Sequence, residues 1–132
     1  AALKFIFQRP IFGWGAASFP ILYLAKSGEW FGHAHNLPLE VAISYGFLPS
    51  LIIFSFYLLI LFFSFKKISQ LSEKGVDNEI FLNQKAWFAS SLIFLFSHLV
   101  DIQYFDVRIS TICWILLAGL RSSMKESIKE NS

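Results

Sequence analysis

The apolar positions of this chain fall into long, nearly unbroken runs separated by short polar stretches, a pattern of buried or membrane-crossing helices and not of half-buried strands. From Val41 to Phe65 there is no charged residue. At ~1.5 Å rise per residue that run is long enough to cross a hydrocarbon core of roughly 30 Å with some tilt. Lys66 and Lys67 end it, and polar positions including Glu73, Lys74, Asp77 and Glu79 continue to Lys85, which predicts a loop. Two shorter apolar runs follow, Ala86–Val100 and Ile109–Leu120. Joined into one helix they would extend roughly 50 Å and hold Asp101, Asp106 and Arg108 at its middle. Two helices turning near 101–108 are predicted instead, with Tyr104 reaching the interface. The first part of the chain has another character, because Arg9, Pro10, Gly13, Gly15, Pro20, Lys26, Gly28, Glu29 and Gly32 interrupt every apolar stretch. It is expected to be a loop in which Phe19 to Lys26 forms a short interfacial helix, with Trp14, Tyr23 and Trp30 at headgroup level.

The architecture implied is all-α: a polytopic transmembrane helical bundle fragment with an outward-facing loop preceding three transmembrane helices. The expected boundaries are an extracytoplasmic loop 1–36, a first span 37–65, a cytoplasmic loop 66–85, a second span 86–101, an extracytoplasmic turn 102–108, a third span 109–121 and a cytoplasmic tail 122–132.

Composition supports this reading. Of the 132 residues 55% are hydrophobic, 18% aromatic and only 15% charged, against roughly 25% charged in ordinary soluble domains. Sixteen Phe residues are tolerated more readily on lipid-facing helices than in a soluble core. The chain starts at Ala1, not Met, so it is expected to be the C-terminal part of a longer protein. The net charge of +2 is too small, and its basic residues too scattered, for a nucleic-acid partner. Cys113 is the only cysteine, which excludes a disulfide framework and a cysteine metal site within these residues. Basic residues set the orientation. Lys66, Lys67, Lys74, Lys85, Arg121, Lys125 and Lys129 fall on one side, against Lys4, Arg9, Lys26 and Arg108 on the other. The first side is read as cytoplasmic and residues 1–36 as outward-facing.

Chemistry-bearing residues gather in the stretch GHAHNLPLE, which places His33, His35, Asn36 and Glu40 where the outer loop enters the first span. Asn36 is a good N-cap and Pro38 is tolerated in a first helical turn, so a helix is predicted to start at Leu37. Its positive end beside His35 disfavours imidazolium and attracts phosphate oxygens. A neutral histidine there can serve as a general base, with Arg9 and Lys26 adding charge-assisted contacts to a bound diphosphate. The alternative is that His and Asn merely cap the helix and bond headgroups. A metal is not expected, since the HxH pair lacks a Cys or carboxylate partner at zinc-site spacing. His98 and Asp101, followed by Asp106 and Arg108, form a second group near the far turn. Asp106 and Arg108 can pair and cap helix ends, which favours a structural or supporting role. Gly46 and Pro49 are expected to allow close packing and a kink.

Two of these segments together resemble the O-antigen ligase and polymerase family of bacterial inner-membrane glycosyltransferases. RPIFGWGAASF (Arg9 to Phe19) looks like that family's proline and Gly-x-Gly element, and HNLPLEVAISYGFLPSL (His35 to Leu51) looks like its histidine-asparagine element leading into a span. The last two helices, with His98, Asp101 and the run from Trp114 to Leu120, look like its C-terminal pair. The resemblance implies transfer of a glycan from a polyprenyl-diphosphate carrier to a glycan or lipid-linked acceptor at the outer face of the inner membrane, among membrane lipids and without metal or cofactor. It implies His35 as the catalytic base; the residues expected at the substrate beside it, from their placement in the chain, are Arg9, His33, Asn36 and Glu40. The family's diphosphate-binding arginines lie upstream of the matching region, and Arg9 does not map onto one of them. Ligase and polymerase differ mainly in the acceptor, which these residues do not identify. A transport component for inorganic carbon or another solute, or a truncated product without activity, are the rival readings. A transporter would need ionisable residues near mid-membrane, and Val41 to Phe65 holds none.

Overall fold

The computed structural model describes residues 1–73, 78–101 and 106–129, and every element among them is an α-helix. In chain order these are α1 (Ala2–Gln8), α2 (Phe19–Ser27), α3 (Leu37–Tyr45), α4 (Phe47–Glu73), α5 (Asn78–Val100) and α6 (Val107–Lys129). The chain divides into two compact units, Ala1–Ser55 with Ser97–Tyr104, and Phe56–Phe96 with Phe105–Ser132.

The first unit is organised around α3. Phe5, Ile6, Phe19, Ala42 and Ile43 form its buried cluster, with Trp14, Leu22, Tyr23 and Leu39 packed against it. Asn36 starts α3 as expected: its Oδ1 accepts the Leu39 N–H at 3.0 Å. The helix does not run on through 65, however. It stops at Tyr45, and Gly46 takes φ 98° before α4 begins. A helix break strands carbonyls on one side and amides on the other, and the loop after α1 bonds both. Trp14 and Gly15 donate their N–H groups to the Ile43 and Ser44 carbonyls at 2.8 and 2.9 Å, and the Phe47 N–H donates to the Pro10 carbonyl at 2.7 Å. The approach is close enough that a Cβ on Gly13 would lie 2.6 Å from the Ile43 carbonyl oxygen, and one on Gly46 would overlap the Ile11 carbonyl.

In the second unit a narrow stripe is buried. On α4 it comprises Tyr57, Leu61, Ser64, Ile68 and Leu71; on α5, Gln84, Ser91 and Leu95; on α6, Cys113 and Leu120. These positions recur three, four or seven residues apart, the seam of helices packed at shallow angles. Tyr57 donates its hydroxyl to the Ser91 carbonyl at 2.9 Å, Phe65 meets Phe88 at 5.9 Å, and Gly119 lies directly against the Trp87 ring. Small residues in such seams let helices approach closely. The remaining faces of α4 stay apolar and exposed, Phe56, Phe62 and Phe63 among them.

Several expected boundaries move. Within 1–36 the short helix expected over Phe19 to Lys26 is present as α2, and α1 is an addition to it. Lys66 and Lys67 extend α4 instead of ending it, and Glu79 and Lys85 belong to α5, so the expected loop 66–85 is helical over 66–73 and 78–85. At 23 residues each, α5 and α6 are longer than the expected spans 86–101 and 109–121, because polar helix formers at their ends continue the backbone pattern where a hydropathy count stops. The tail 122–132 is helical through Lys129. Lys74, Asp77 and Tyr104 lie outside the described residues. By length and composition, one helix among the described residues, over Phe47–Ser72, can cross a membrane.

Candidate functional site

The polar residues at the start of α3 are held by a short chain of local bonds. Glu40, one turn into the helix, is 2% exposed, and its Oε2 accepts the Ala34 N–H at 2.9 Å. Burial pushes its carboxyl above the usual carboxylate range, against the lowering effects of the Ala34 bond and of nearby His33. That bond pins the residue between the two histidines. His35 takes φ 50°, a left-handed conformation uncommon outside glycine and worth about 1–3 kcal/mol of strain, of the kind that collects at functional sites.

A row of rings leads from the core to this point. Phe5 meets Phe19 at 6.3 Å, Phe19 stacks on Tyr23 at 5.6 Å, Tyr23 meets Phe31 at 5.6 Å, Phe31 meets His35 edge-on at 5.2 Å, and His35 meets His33 at 4.3 Å. The aromatic row fixes where the imidazoles can sit. His35 Nδ1 lies 3.1 Å from the Asp101 carboxylate, with 48% and 54% of the two side chains exposed. Asp101 follows the last residue of α5 and is tied to the same place by Asn36, whose Nδ2 donates to the Leu99 carbonyl at 2.9 Å.

Three of the residues expected at a substrate have local partners of their own. Asn36 accepts the Leu39 N–H through its oxygen at the α3 cap and donates one amide N–H to the Leu99 carbonyl, which ties the start of α3 to the end of α5. Glu40 is enclosed and bonded to Ala34, which makes it a brace for the loop. Arg9 belongs to the loop at the other end of α3, a nine-residue helix and therefore ~13 Å away along its axis. There its guanidinium lies over the Trp14 ring at 4.4 Å. Lys26 lies 5.4 Å from the Phe5 ring. His33 does stand beside His35, half-buried, with its Nδ1 buried and without a hydrogen-bond partner.

The residue that sequence reasoning undervalued is Asp101. The sequence groups it with His98, three positions earlier, yet α5 ends before it and its carboxylate reaches His35, 66 positions earlier. The available signal was a carboxylate at the end of an apolar helix, where an ionisable group needs a partner. His98 itself is 3% exposed, with its Nδ1 3.1 Å from the Ser97 hydroxyl. Asp106 and Arg108 behave as expected: Asp106 accepts the Arg108 N–H at 2.8 Å at the start of α6, and their side chains pair at 3.4 Å.

Against known proteins, the chain matches no family model, no curated protein and no solved structure.

Proposed function

We propose that this chain is the C-terminal part of an O-antigen ligase-like membrane glycosyltransferase, which moves a glycan from a polyprenyl-diphosphate carrier to an acceptor sugar at the extracytoplasmic face. The observation that carries the reading is the His35–Asp101 pair at 3.1 Å. An ionised Asp101 accepts from Nδ1–H, fixing the tautomer in which Nε2 keeps its lone pair, and supports the imidazolium formed when that lone pair takes a proton. The acceptor hydroxyl then gives its proton to Nε2 while its oxygen bonds to the anomeric carbon. The bond from that carbon to the diphosphate oxygen breaks, and the diphosphate leaves with the electron pair. Half-exposure of His35 leaves room for a lipid-linked substrate, and the start of α3 beside it carries a partial positive charge favourable to phosphate.

In this proposal α4, α5 and α6 are the three spans, α5 and α6 having the length for it at ~1.5 Å per residue. The exposed apolar faces of α4 meet lipid. An O-antigen polymerase would use the same site with another acceptor. The chain by itself is expected to be inactive, so the test is transfer of lipid-linked glycan by membranes carrying the longer protein of which it is the proposed C-terminal part. His35→Ala is expected to lower the rate by about 10²–10⁴, the usual worth of a general base. Asp101→Asn should fall well below wild type, because the wrong tautomer is favoured, while His33→Ala keeps most of the activity at equal abundance. Near-normal transfer by His35→Ala would end this reading.

A further inference from the structure

The same corner of the first unit satisfies a second chemistry, which the sequence spacing had argued against for want of a carboxylate. We propose that His33, His35 and Asp101 form a binding site for one divalent transition-metal ion of the Zn²⁺ type. One ligand atom from each of the three lies within 4.8 Å of the others. Bonds of ~2.0–2.1 Å in a tetrahedral shell put ligand atoms roughly 3.3 Å apart. The 3.1 Å between His35 Nδ1 and the Asp101 oxygen is already near that spacing, so side-chain shifts of roughly 1.5 Å or less complete the set.

Two independent features point to an occupant. The Nδ1 of His33 is buried without a partner, and such an atom in a native fold marks a place for a water or an ion. The backbone between the histidines is also held by the Ala34 bond to Glu40 and the left-handed φ of His35, which keeps the two imidazoles 4.3 Å apart on one side of the loop. The donor set chooses the class of metal. Two imidazoles and one carboxylate suit Zn²⁺ with an open coordination position, whereas Ca²⁺ and Mg²⁺ require six or more oxygens, many more than a single carboxylate supplies.

Binding stands apart from the transfer chemistry, but its consequence rests on that reading. The ion takes from His35 the carboxylate that supports it, so occupancy is expected to silence transfer and make the site a metal-sensitive brake.

The test uses the whole chain in detergent micelles, titrated with Co²⁺, whose visible absorption reports tetrahedral ligation, and then with Zn²⁺ as competitor. One equivalent should bind and be displaced by Zn²⁺ but not by millimolar Mg²⁺. Even partners outside a ligand set are worth about 10–100-fold in affinity, so His33→Gln and Asp101→Asn should each weaken binding at least about tenfold, with helicity unchanged by circular dichroism. Absence of binding by the wild type, or binding undiminished in a folded His33→Gln/His35→Gln variant, would overturn the site. Displacement by Mg²⁺ would overturn the metal class. Saturating Zn²⁺ that leaves transfer by the longer protein at its full rate would overturn the brake alone, and Zn²⁺ binding by the chain with no transfer by the longer protein would leave the metal site standing and end the enzyme reading.

Discussion

His35 shows how much of a site can be set by its neighbours' backbone. Its left-handed φ, the Ala34 bond to Glu40 and the ring contact with Phe31 leave the imidazole little choice but to face Asp101. Glu40 is the residue on which this arrangement is most exposed to pH. Its folded-state pKa is raised above 4.5, chiefly by burial, so the folded state holds that proton more tightly than the unfolded chain does. The stability it contributes is therefore complete below the unfolded value and is lost as pH rises through the folded one. Glu40→Gln keeps an acceptor for the Ala34 N–H without the charge. Thermal unfolding of the two proteins, followed from about pH 4 to about pH 8, should show the wild type losing stability relative to the variant as pH rises. Parallel curves would show that the carboxyl is not held neutral by its surroundings.

At the scale of elements, the loop from Arg9 to Gly15 acts as a splint for the break between α3 and α4. It supplies two amides to α3 carbonyls and one carbonyl to the first amide of α4, and the Trp14 Nε1 bond to the Phe5 carbonyl at 2.9 Å ties it back to α1. The segments Arg9 to Phe19 and His35 to Leu51 are thus packed on each other, and the close approach gives Gly13 and Gly46 a structural reason. Gly46→Ala meets both a positive φ and the Ile11 carbonyl. It is expected to cost about 1–3 kcal/mol from the backbone alone, with more from the overlap. Chemical denaturation should record that loss, and limited proteolysis should find the 9–15 loop newly accessible, while Gly15→Ala, which meets nothing nearby but also has positive φ, should show the smaller effect.

For the whole molecule, the distribution of basic residues predicts that the α4–α5 connection faces the cytoplasm and the His35 loop the other side. In a Cys113→Ser background, Ser72→Cys should resist an impermeant thiol reagent added from the periplasmic side, and Ser27→Cys, on the exposed end of α2, should react with it. The reverse pattern would invert the orientation and remove the site from the face where a lipid-linked glycan is available. The narrow buried stripe of α4, set against its broad exposed apolar surface, is the arrangement expected of a helix that packs on one side and meets lipid on the others.

The sequence alone determined the helical class, the start of α3 at Leu37 and the polar cluster around His35, because capping residues and uninterrupted apolar runs are local signals whose meaning does not depend on distant chain. It also singled out Gly46 as a place of close packing, though not as a break. Helix ends beyond the apolar runs were not legible, since Lys66, Lys67, Glu79 and Lys85 are helix formers that hydropathy counts as loop. Only the tertiary structure decided that Asp101 stands at His35, that Asn36 and Glu40 brace the loop, and that Arg9 lies at the far end of α3. Each of these depends on a contact between segments far apart in the chain, and nothing in either segment's own periodicity specifies which distant partner will satisfy its polar groups.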